Sequence, residues 1–146
     1  MKIGIASDHR GFNLKSKIVE NFKTCELIDY GTTNAESTDY PIYAFKIGEA
    51  IKNKEIDYGI LICGSGIGMS IACNKVKGVR CAKVENVNEV KYTRNDNDAN
   101  VISFSENHSL EESLEMINTL ITTPFCTEEK YVRRLNQIIV YEDKND

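Results

Sequence analysis

The sequence predicts an α/β fold in which a five-stranded parallel sheet lies between two layers of helices and is followed by a C-terminal helix. Strand and helix patterns alternate from one end of the chain to the other, which is typical of a parallel sheet covered on both faces. The 146 residues are 41% hydrophobic and 27% charged, enough to bury one substantial core. We therefore expect a single domain over residues 1–146.

Apolar or alternating runs mark the elements of this fold. The predicted strands cover residues 2–7, 25–30, 58–63, 79–84 and 100–104. The predicted helices cover residues 11–22, 41–51, 67–74, 86–96, 109–122 and 128–141. Pro41 can open the helix over residues 41–51, and Pro124 stops the helix over residues 109–122.

Two of these helices carry N-terminal capping signals. Asn86 stands three residues before Glu89, and Ser109 stands three residues before Glu112. A short polar side chain followed at this spacing by Glu is the pattern of a capping box. Both pairs therefore predict where a helix begins.

The charge of the chain excludes several classes of partner. The net charge is -4 and the isoelectric point is about 5.3, so we expect neither nucleic acid nor a membrane surface as a partner. The first residues read as an alternating strand rather than a signal peptide, and no apolar run approaches transmembrane length. We expect a cytoplasmic protein.

The thiols and imidazoles predict neither a disulfide framework nor a metal centre. Five cysteines stand at positions 25, 63, 73, 81 and 126 without a C-x-x-C pair, and there are two histidines. Most of these thiols fit small core positions. Cys63 is the exception, although a redox role would need a resolving partner, and Cys73 is expected at the far end of the following helix.

The most informative motif is LICGSGIGMS at residues 61–70. A buried strand runs into Cys63 and then into glycines at alternate positions, so the backbone can turn tightly and present amide groups to an anion. The spacing fits neither the dinucleotide fingerprint nor the P-loop. Taken alone, the motif leaves a structural turn and a nucleotide site open as alternatives.

Asp8 and His9 end the first strand as Cys63 ends the third, and such strand ends meet in one crevice of a doubly wound sheet. Nearby amides favour the Cys63 thiolate, which could act as nucleophile or base, with an inert buried thiol as the alternative. For Asp8 and His9 the alternative is a helix cap and a bond to a loop carbonyl. Lys130 and Arg134, one helical turn apart, could clamp a phosphate or be solvated surface charges.

Four segments carry a resemblance to a known family: residues 2–12, 38–41, 59–80 and 94–101. Together they resemble ribose-5-phosphate isomerase B, a family that includes galactose-6-phosphate isomerase subunits. The resemblance implies a three-layer, Rossmann-like α/β/α domain without cofactor or metal. It also implies a homodimer, with a tetramer as the alternative, whose active sites are shared between subunits.

The resemblance further implies aldose–ketose isomerisation of a sugar phosphate through a cis-enediolate. Cys63 matches the base that moves a proton between C1 and C2, and Ser65 matches a hydroxyl residue that assists it. The loop that holds the enediolate corresponds to Gly64, Ser65, Gly66, Ile67 and Gly68. The matching substrate contacts are Asp8, His9 and Asn97, with Lys130 and Arg134 at the phosphate.

Three departures from the family pattern bear on function. Asp96 replaces the histidine that helps to open the furanose ring, and a carboxylate ionised at neutral pH is a poor acid. Asn107 and Lys130 replace phosphate-binding arginines, and Tyr131 replaces a common histidine. We therefore expect impaired ring opening and weakened substrate binding.

The leading hypothesis is an isomerase of ribose 5-phosphate and ribulose 5-phosphate. The alternatives are an isomerase of a six-carbon sugar phosphate, such as allose or galactose 6-phosphate, and a non-catalytic sugar-phosphate-binding homologue.

Overall fold

The structure, a computed structural model, describes residues 1–145, and within them five strands form one parallel sheet. The strands are β1 (Lys2–Ser7), β2 (Glu26–Asp29), β3 (Tyr58–Cys63), β4 (Cys81–Lys83) and β5 (Val101–Ser105). Their order is β2-β1-β3-β5-β4, with every neighbouring pair parallel. The predicted α/β fold is confirmed, and β1 lies beside β3 as expected.

Six helices cover this sheet in the described part of the chain. They are α1 (Phe12–Asn21), α2 (Tyr40–Lys52), α3 (Ile67–Cys73), α4 (Val87–Asn97), α5 (Leu110–Thr122) and the C-terminal α6 (Glu129–Asn145). None of these helices is long and apolar enough to cross a membrane.

Two apolar clusters join the three layers. On one face of the sheet, Ile18 of α1, Val90 of α4 and Met116 of α5 are fully buried in a common cluster. On the other face, Ile47 of α2 and Met69 of α3 pack in a second cluster. The sheet therefore has helices on both faces, which makes the fold a three-layer α/β/α arrangement.

The predicted strand boundaries are most accurate in the middle of the sheet. β1 and β3 match the predicted ranges, whereas β2 is two residues shorter than predicted and β4 is three residues shorter. Both short strands lie at an edge of the sheet and pair with one neighbour only, β2 with β1 and β4 with β5. Apolar composition alone therefore overstates their length.

Both capping signals are confirmed at the N-cap. The Asn86 side chain accepts a hydrogen bond from the Glu89 amide at 2.9 Å, and Ser109 accepts one from the Glu112 amide at 3.1 Å. The reciprocal halves of the two boxes differ from the usual pattern. The Glu89 carboxylate accepts from the Glu85 amide, and the Glu112 carboxylate binds the His108 ring instead.

All five cysteines are free thiols. Cys73 is fully buried at the end of α3, as predicted, and packs beside Cys81 of β4. A hydrogen bond with the Cys73 thiol, together with burial, raises the pKa of Cys81 well above its usual value. This pair is therefore core packing between α3 and the sheet edge.

An ion pair between a buried lysine and an exposed aspartate holds α1 to the end of β2. Lys15 is 1% exposed, and its Nζ lies 2.7 and 2.8 Å from the two carboxylate oxygens of Asp29. The same carboxylate accepts a hydrogen bond from the Gly31 amide at 2.8 Å. The pair therefore fixes the start of the polar loop that leads to α2.

We predict that Asp29→Asn lowers the free energy of unfolding by about 1–3 kcal/mol, because the buried Lys15 ammonium loses its counter-charge. Urea denaturation measures this change. Lys17→Met, at an exposed position on the same helix, serves as the control and should change the free energy by less than about 0.5 kcal/mol. Equal effects of the two substitutions would contradict a stabilising role for the pair.

Candidate active site

A cleft of about 350 Å³ opens at the carboxyl ends of β1 and β3. It is lined by Asp8, Arg10, Tyr40, Cys63, Gly64, Ser65 and Gly68. Five of these seven residues belong to the predicted site. The adjacency of β1 and β3 brings them together, although Asp8 and Cys63 are far apart in the chain.

The loop after Cys63 is held against β5. Gly66 has a φ of +82°, and a Cβ there would lie 2.8–2.9 Å from the Phe104 backbone, so only glycine fits. Two hydroxyls of β5 fix the loop carbonyls: Ser105 donates to the Gly64 oxygen at 2.8 Å, and Ser103 donates to the Gly66 oxygen at 2.5 Å. Contacts with β5 therefore determine the path of the loop.

These carbonyl contacts also set the direction of the loop amides. The Cys63 oxygen accepts from the Glu106 amide, and the Gly64 oxygen accepts from Ser105, both on the β5 side. In a trans peptide the N–H points opposite to the C=O. The amides of Gly64 and Ser65 therefore point toward β1, where the cleft lies.

The Cys63 thiol lies at the bottom of this cleft. Cys63 is 5% exposed, and the Gly66 amide donates a hydrogen bond to its Sγ at 3.1 Å. Ser65 is exposed, and its Oγ accepts from the Ile67 amide at 3.1 Å, which leaves the hydroxyl hydrogen free to donate. The thiol and the Ser65 hydroxyl therefore both lie on the loop that borders the cleft.

Asp8 both shapes the turn before α1 and faces the cleft. Its Oδ1 accepts from the amides of Arg10 and Gly11 at 2.9 and 3.1 Å. His9 does not line the cleft; its Nδ1 accepts from the Thr38 amide at 3.2 Å. The neutral His9 ring therefore carries its hydrogen on Nε2 and ties the polar loop to the end of β1.

Tyr40 lines the cleft and was not among the predicted site residues. Its ring lies against the loop, so close to Gly68 that a Cβ there would be 2.7 Å from the ring. Nearby, hydrogen bonds from Thr32 and Thr38 lower the pKa of Tyr43 and anchor the same segment. The T-D-Y-P run at residues 38–41 was the sequence signal that could have identified Tyr40.

Arg10 is the second lining residue outside the prediction. Its Nε donates to the Glu106 carboxylate at 2.8 Å. Its guanidinium lies over Gly64, where a Cβ would be 3.5–3.7 Å from Cζ and the two terminal nitrogens. Arg10 therefore reaches across the cleft from β1 to the segment after β5.

The other predicted residues lie elsewhere. Asp96, Asn97 and Arg134 line a separate cleft of about 140 Å³ between α4 and α6, together with Tyr131, Leu135 and Ile138. α4 ends just before β5 begins, at the amino edge of the sheet, whereas Cys63 pairs with the last residue of β5. Within one chain, the Cys63 cleft and the cleft between α4 and α6 are therefore separated by the length of β5, about 15 Å.

Contacts in the second cleft leave its polar groups accessible. Asp96 accepts a hydrogen bond from the Asn95 side chain at 2.8 Å, and the exposed Asn97 accepts from Thr93 at 3.2 Å. Asp98 is occupied by Arg94 and Arg80, so it does not act as a free carboxylate beside Asp96.

Lys130 does not line the second cleft; its Nζ lies 5.1 Å from the centre of the Tyr131 ring. Asn107 is exposed beside Glu106. His108 binds the Glu112 carboxylate and lies 4.0 Å from Glu85, so its ring is held away from the Cys63 cleft. Residues 1–145 hold no group of three or more His, Cys, Asp or Glu side chains suited to a metal ion.

Comparisons with known proteins identify the family to which the chain belongs. The family model for ribose/galactose isomerases matches residues 3–138. Ribose-5-phosphate isomerase B of Escherichia coli is 44% identical over 105 residues, which are 70% of each chain.

Two solved structures share the complete fold. Ribose-5-phosphate isomerase B of Clostridium thermocellum superimposes with a TM-score of 0.93, at 40% identity and over 100% of both chains. The Mycoplasma genitalium enzyme with bound ribulose-5-phosphate gives a TM-score of 0.88 at 36% identity, over 97% of this chain and 96% of the other. The chain belongs to the ribose/galactose isomerase family.

Proposed function

We propose that this protein interconverts ribose 5-phosphate and ribulose 5-phosphate, and that residues 1–146 act as one sugar-phosphate isomerase domain. The observation that carries the proposal is the Cys63 thiol at the bottom of a cleft whose amides point at the same space. The named relatives support the choice of sugar, since one of them was solved with ribulose-5-phosphate bound.

The proposed reaction moves one proton between neighbouring carbons. The Cys63 thiolate takes the proton from C2 of the open-chain aldose, and the electron pair of that bond forms the C1–C2 double bond of the enediolate. In the same step the C1=O π electron pair moves onto the C1 oxygen. The thiol then returns the proton to C1, and the hydroxyl proton of the C2 oxygen is transferred to the C1 oxygen, so that C2 becomes the ketone and C1 carries a hydroxyl. Atoms and electrons balance without an external oxidant or reductant.

The loop supplies what this proton transfer requires. A hydrogen next to a carbonyl becomes acidic only when the growing charge on oxygen is stabilised, and fixed donors in a desolvated site do this most effectively. The amides of Gly64 and Ser65 and the free Ser65 hydroxyl are candidates for that role. The directions of these two amides are fixed in advance by the Glu106 amide on the Cys63 carbonyl and by the Ser105 hydroxyl on the Gly64 carbonyl.

We further propose that the working enzyme is a homodimer in which each site combines the Cys63 cleft of one chain with Asp96, Asn97 and Arg134 of its partner. The cleft with these three residues lies at the amino ends of the strands, whereas Cys63 lies at the carboxyl end of β3. One chain therefore does not bring them together. A twofold dimer can bring such separate surfaces together twice. Lys130, which lies on the same helix as Arg134, would also lie near the Cys63 cleft of the other chain.

Exposed apolar side chains beside both clefts support this assembly. Ile67 and Ile71 of α3 are 53% and 60% exposed next to the Cys63 cleft, and Ile138 of α6 is 53% exposed at the second cleft. Leu135 is the one buried side chain of α6 among its described residues. A subunit interface that covered both clefts would remove these side chains from water. The free thiols also fit the reducing cytoplasm in which we expect the enzyme to work.

Purified protein should convert ribose 5-phosphate to its ketose, and Cys63→Ala should lower turnover roughly 10²–10⁴-fold because it removes the base. A ketose assay measures both, with allose and galactose 6-phosphate as comparison substrates. Cys73→Ala, which removes another buried thiol, should retain activity. Absence of turnover on ribose 5-phosphate by the unmodified protein would refute the proposed substrate, and full activity of Cys63→Ala would exclude Cys63 as the base.

Shared sites predict complementation between two inactive variants. When Cys63→Ala and Arg134→Ala chains are denatured together and refolded, half of the dimers should be mixed and each should hold one intact site. Activity should then recover to about a quarter of the normal value. Cys63→Ala refolded with Asp8→Asn is the control, because both changes lie in the same cleft and no mixed dimer gains an intact site. No recovery in the first mixture would show that each site is built from one chain.

Asp96→His should raise turnover on furanose-forming ribose 5-phosphate, because histidine is the side chain that exchanges protons near neutral pH. Turnover on erythrose 4-phosphate, which cannot form the ring, should hardly change. Asp96→Asn removes the carboxylate without adding an acid and should not raise turnover. Equal effects of Asp96→His on both substrates would show that Asp96 does not limit ring opening.

A further inference from the structure

We infer that Arg10 binds the phosphate group of the substrate at the rim of the Cys63 cleft. This inference rests on the proposed function for the identity of the substrate. It assigns a binding role to a residue that sequence reasoning left outside the site, and it rests on how the guanidinium is held and where its free nitrogens point.

The Arg10 guanidinium is held so that part of it stays available. Its Nε donates to the Glu106 carboxylate at 2.8 Å, and the Glu106 amide in turn donates to the Cys63 oxygen at 2.9 Å. The two terminal nitrogens face Gly64, at 3.6 and 3.7 Å from the position of a Cβ there. One edge of the fork is therefore anchored, while the other faces the cleft with the paired donors that suit a phosphate.

Depth in the cleft separates the two ends of the substrate. Cys63 is 5% exposed at the bottom, whereas the Arg10 side chain is 58% exposed at the opening. The carbonyl end of an open-chain sugar phosphate must reach the thiol, and the phosphate lies at the opposite end of the molecule. The phosphate is therefore placed toward the rim, within reach of Arg10.

The charge of the cleft also favours this role. Among the seven lining residues Arg10 is the one cation, and Asp8 is the one acidic residue. The Glu106 carboxylate, just outside the lining, is bound to Arg10 Nε and leaves the terminal nitrogens to an incoming anion. Asn107, beside Glu106, adds no charge at the rim. A phosphate dianion entering this half of the site therefore finds its positive charge at Arg10, and any further cation has to come from outside the cleft.

The alternative is that Arg10 is only a structural tie between β1 and the segment after β5. A partly exposed ion pair of this kind contributes about 0–1 kcal/mol to stability. A purely structural role would leave phosphate recognition unchanged, whereas a binding role would alter the affinity for any phosphate-bearing ligand.

The test compares Arg10→Ala with Lys23→Ala, which removes an exposed cation just after α1. We expect Arg10→Ala to raise the KM for ribose 5-phosphate roughly ten- to a hundredfold. We expect kcat to stay within about twofold, since the hydrogen bonds from Arg10 to the phosphate are the same in the ground state and the transition state. Competitive inhibition by inorganic phosphate should weaken by a similar factor. Lys23→Ala should match the unmodified protein in all three measurements.

Unchanged KM and phosphate inhibition in Arg10→Ala would overturn the inference, and so would a loss confined to kcat, which would place Arg10 at the reacting end. Arg10→Lys keeps the charge without the paired guanidinium donors, so its KM should fall between those of the unmodified protein and Arg10→Ala. It also provides a folded variant if Arg10→Ala is unstable.

Thermal stabilisation by inorganic phosphate needs no turnover. If the unmodified protein fails to isomerise ribose 5-phosphate but its phosphate-induced rise in Tm is diminished in Arg10→Ala, the proposed function fails while the Arg10 site stands.

Discussion

The contact between the glycine loop and β5 is the constraint on which the rest of the site depends. Gly66 approaches the Phe104 backbone too closely for any side chain, and the Ser103 and Ser105 hydroxyls hold the carbonyls on either side of Ser65. Because the Cys63 and Gly64 carbonyls point toward β5, the Gly64 and Ser65 amides point toward the cleft. The geometry of the loop is thus set during folding, before any ligand arrives, which is the preorganisation that electrostatic stabilisation requires.

A parallel sheet places the carboxyl ends of all its strands on one side and the amino ends on the other. This arrangement divides the candidate site residues of the chain into two groups. Asp8 and Cys63 follow strands and lie at the carboxyl edge, whereas Asp96 and Asn97 end a helix that leads into β5 and lie at the amino edge. No rearrangement of side chains within one chain removes that separation. The proposed dimer would bring the two clefts, each bordered by exposed apolar surface, together as halves of a shared site.

Much of the fold followed from local patterns, because buried central strands such as β1 and β3 have clear apolar runs and helix starts have chemical signals. The Cys63 loop was also predictable, since only a glycine-rich turn allows such a close approach. Tyr40, Arg10 and the serines of β5 were missed because their roles depend on contacts between distant segments. Their positions follow from β5 lying inside the sheet and β4 at its edge, an order that no local pattern encodes.

The sparse contacts of α6 with its own chain have a thermodynamic consequence. Of the described side chains of this 17-residue helix Leu135 alone is buried, while Val132 and Ile139 are half-buried and Glu142 accepts a hydrogen bond from the Gly78 amide. Most helical stability in proteins comes from packing of an apolar face, so a helix with so few buried side chains is weakly stabilised by its own chain. In the proposed dimer the order of α6 would be coupled to association by mass action, so that protein concentration becomes a variable of folding as well as of assembly. Dilution would loosen the C-terminal segment while the sheet remains intact.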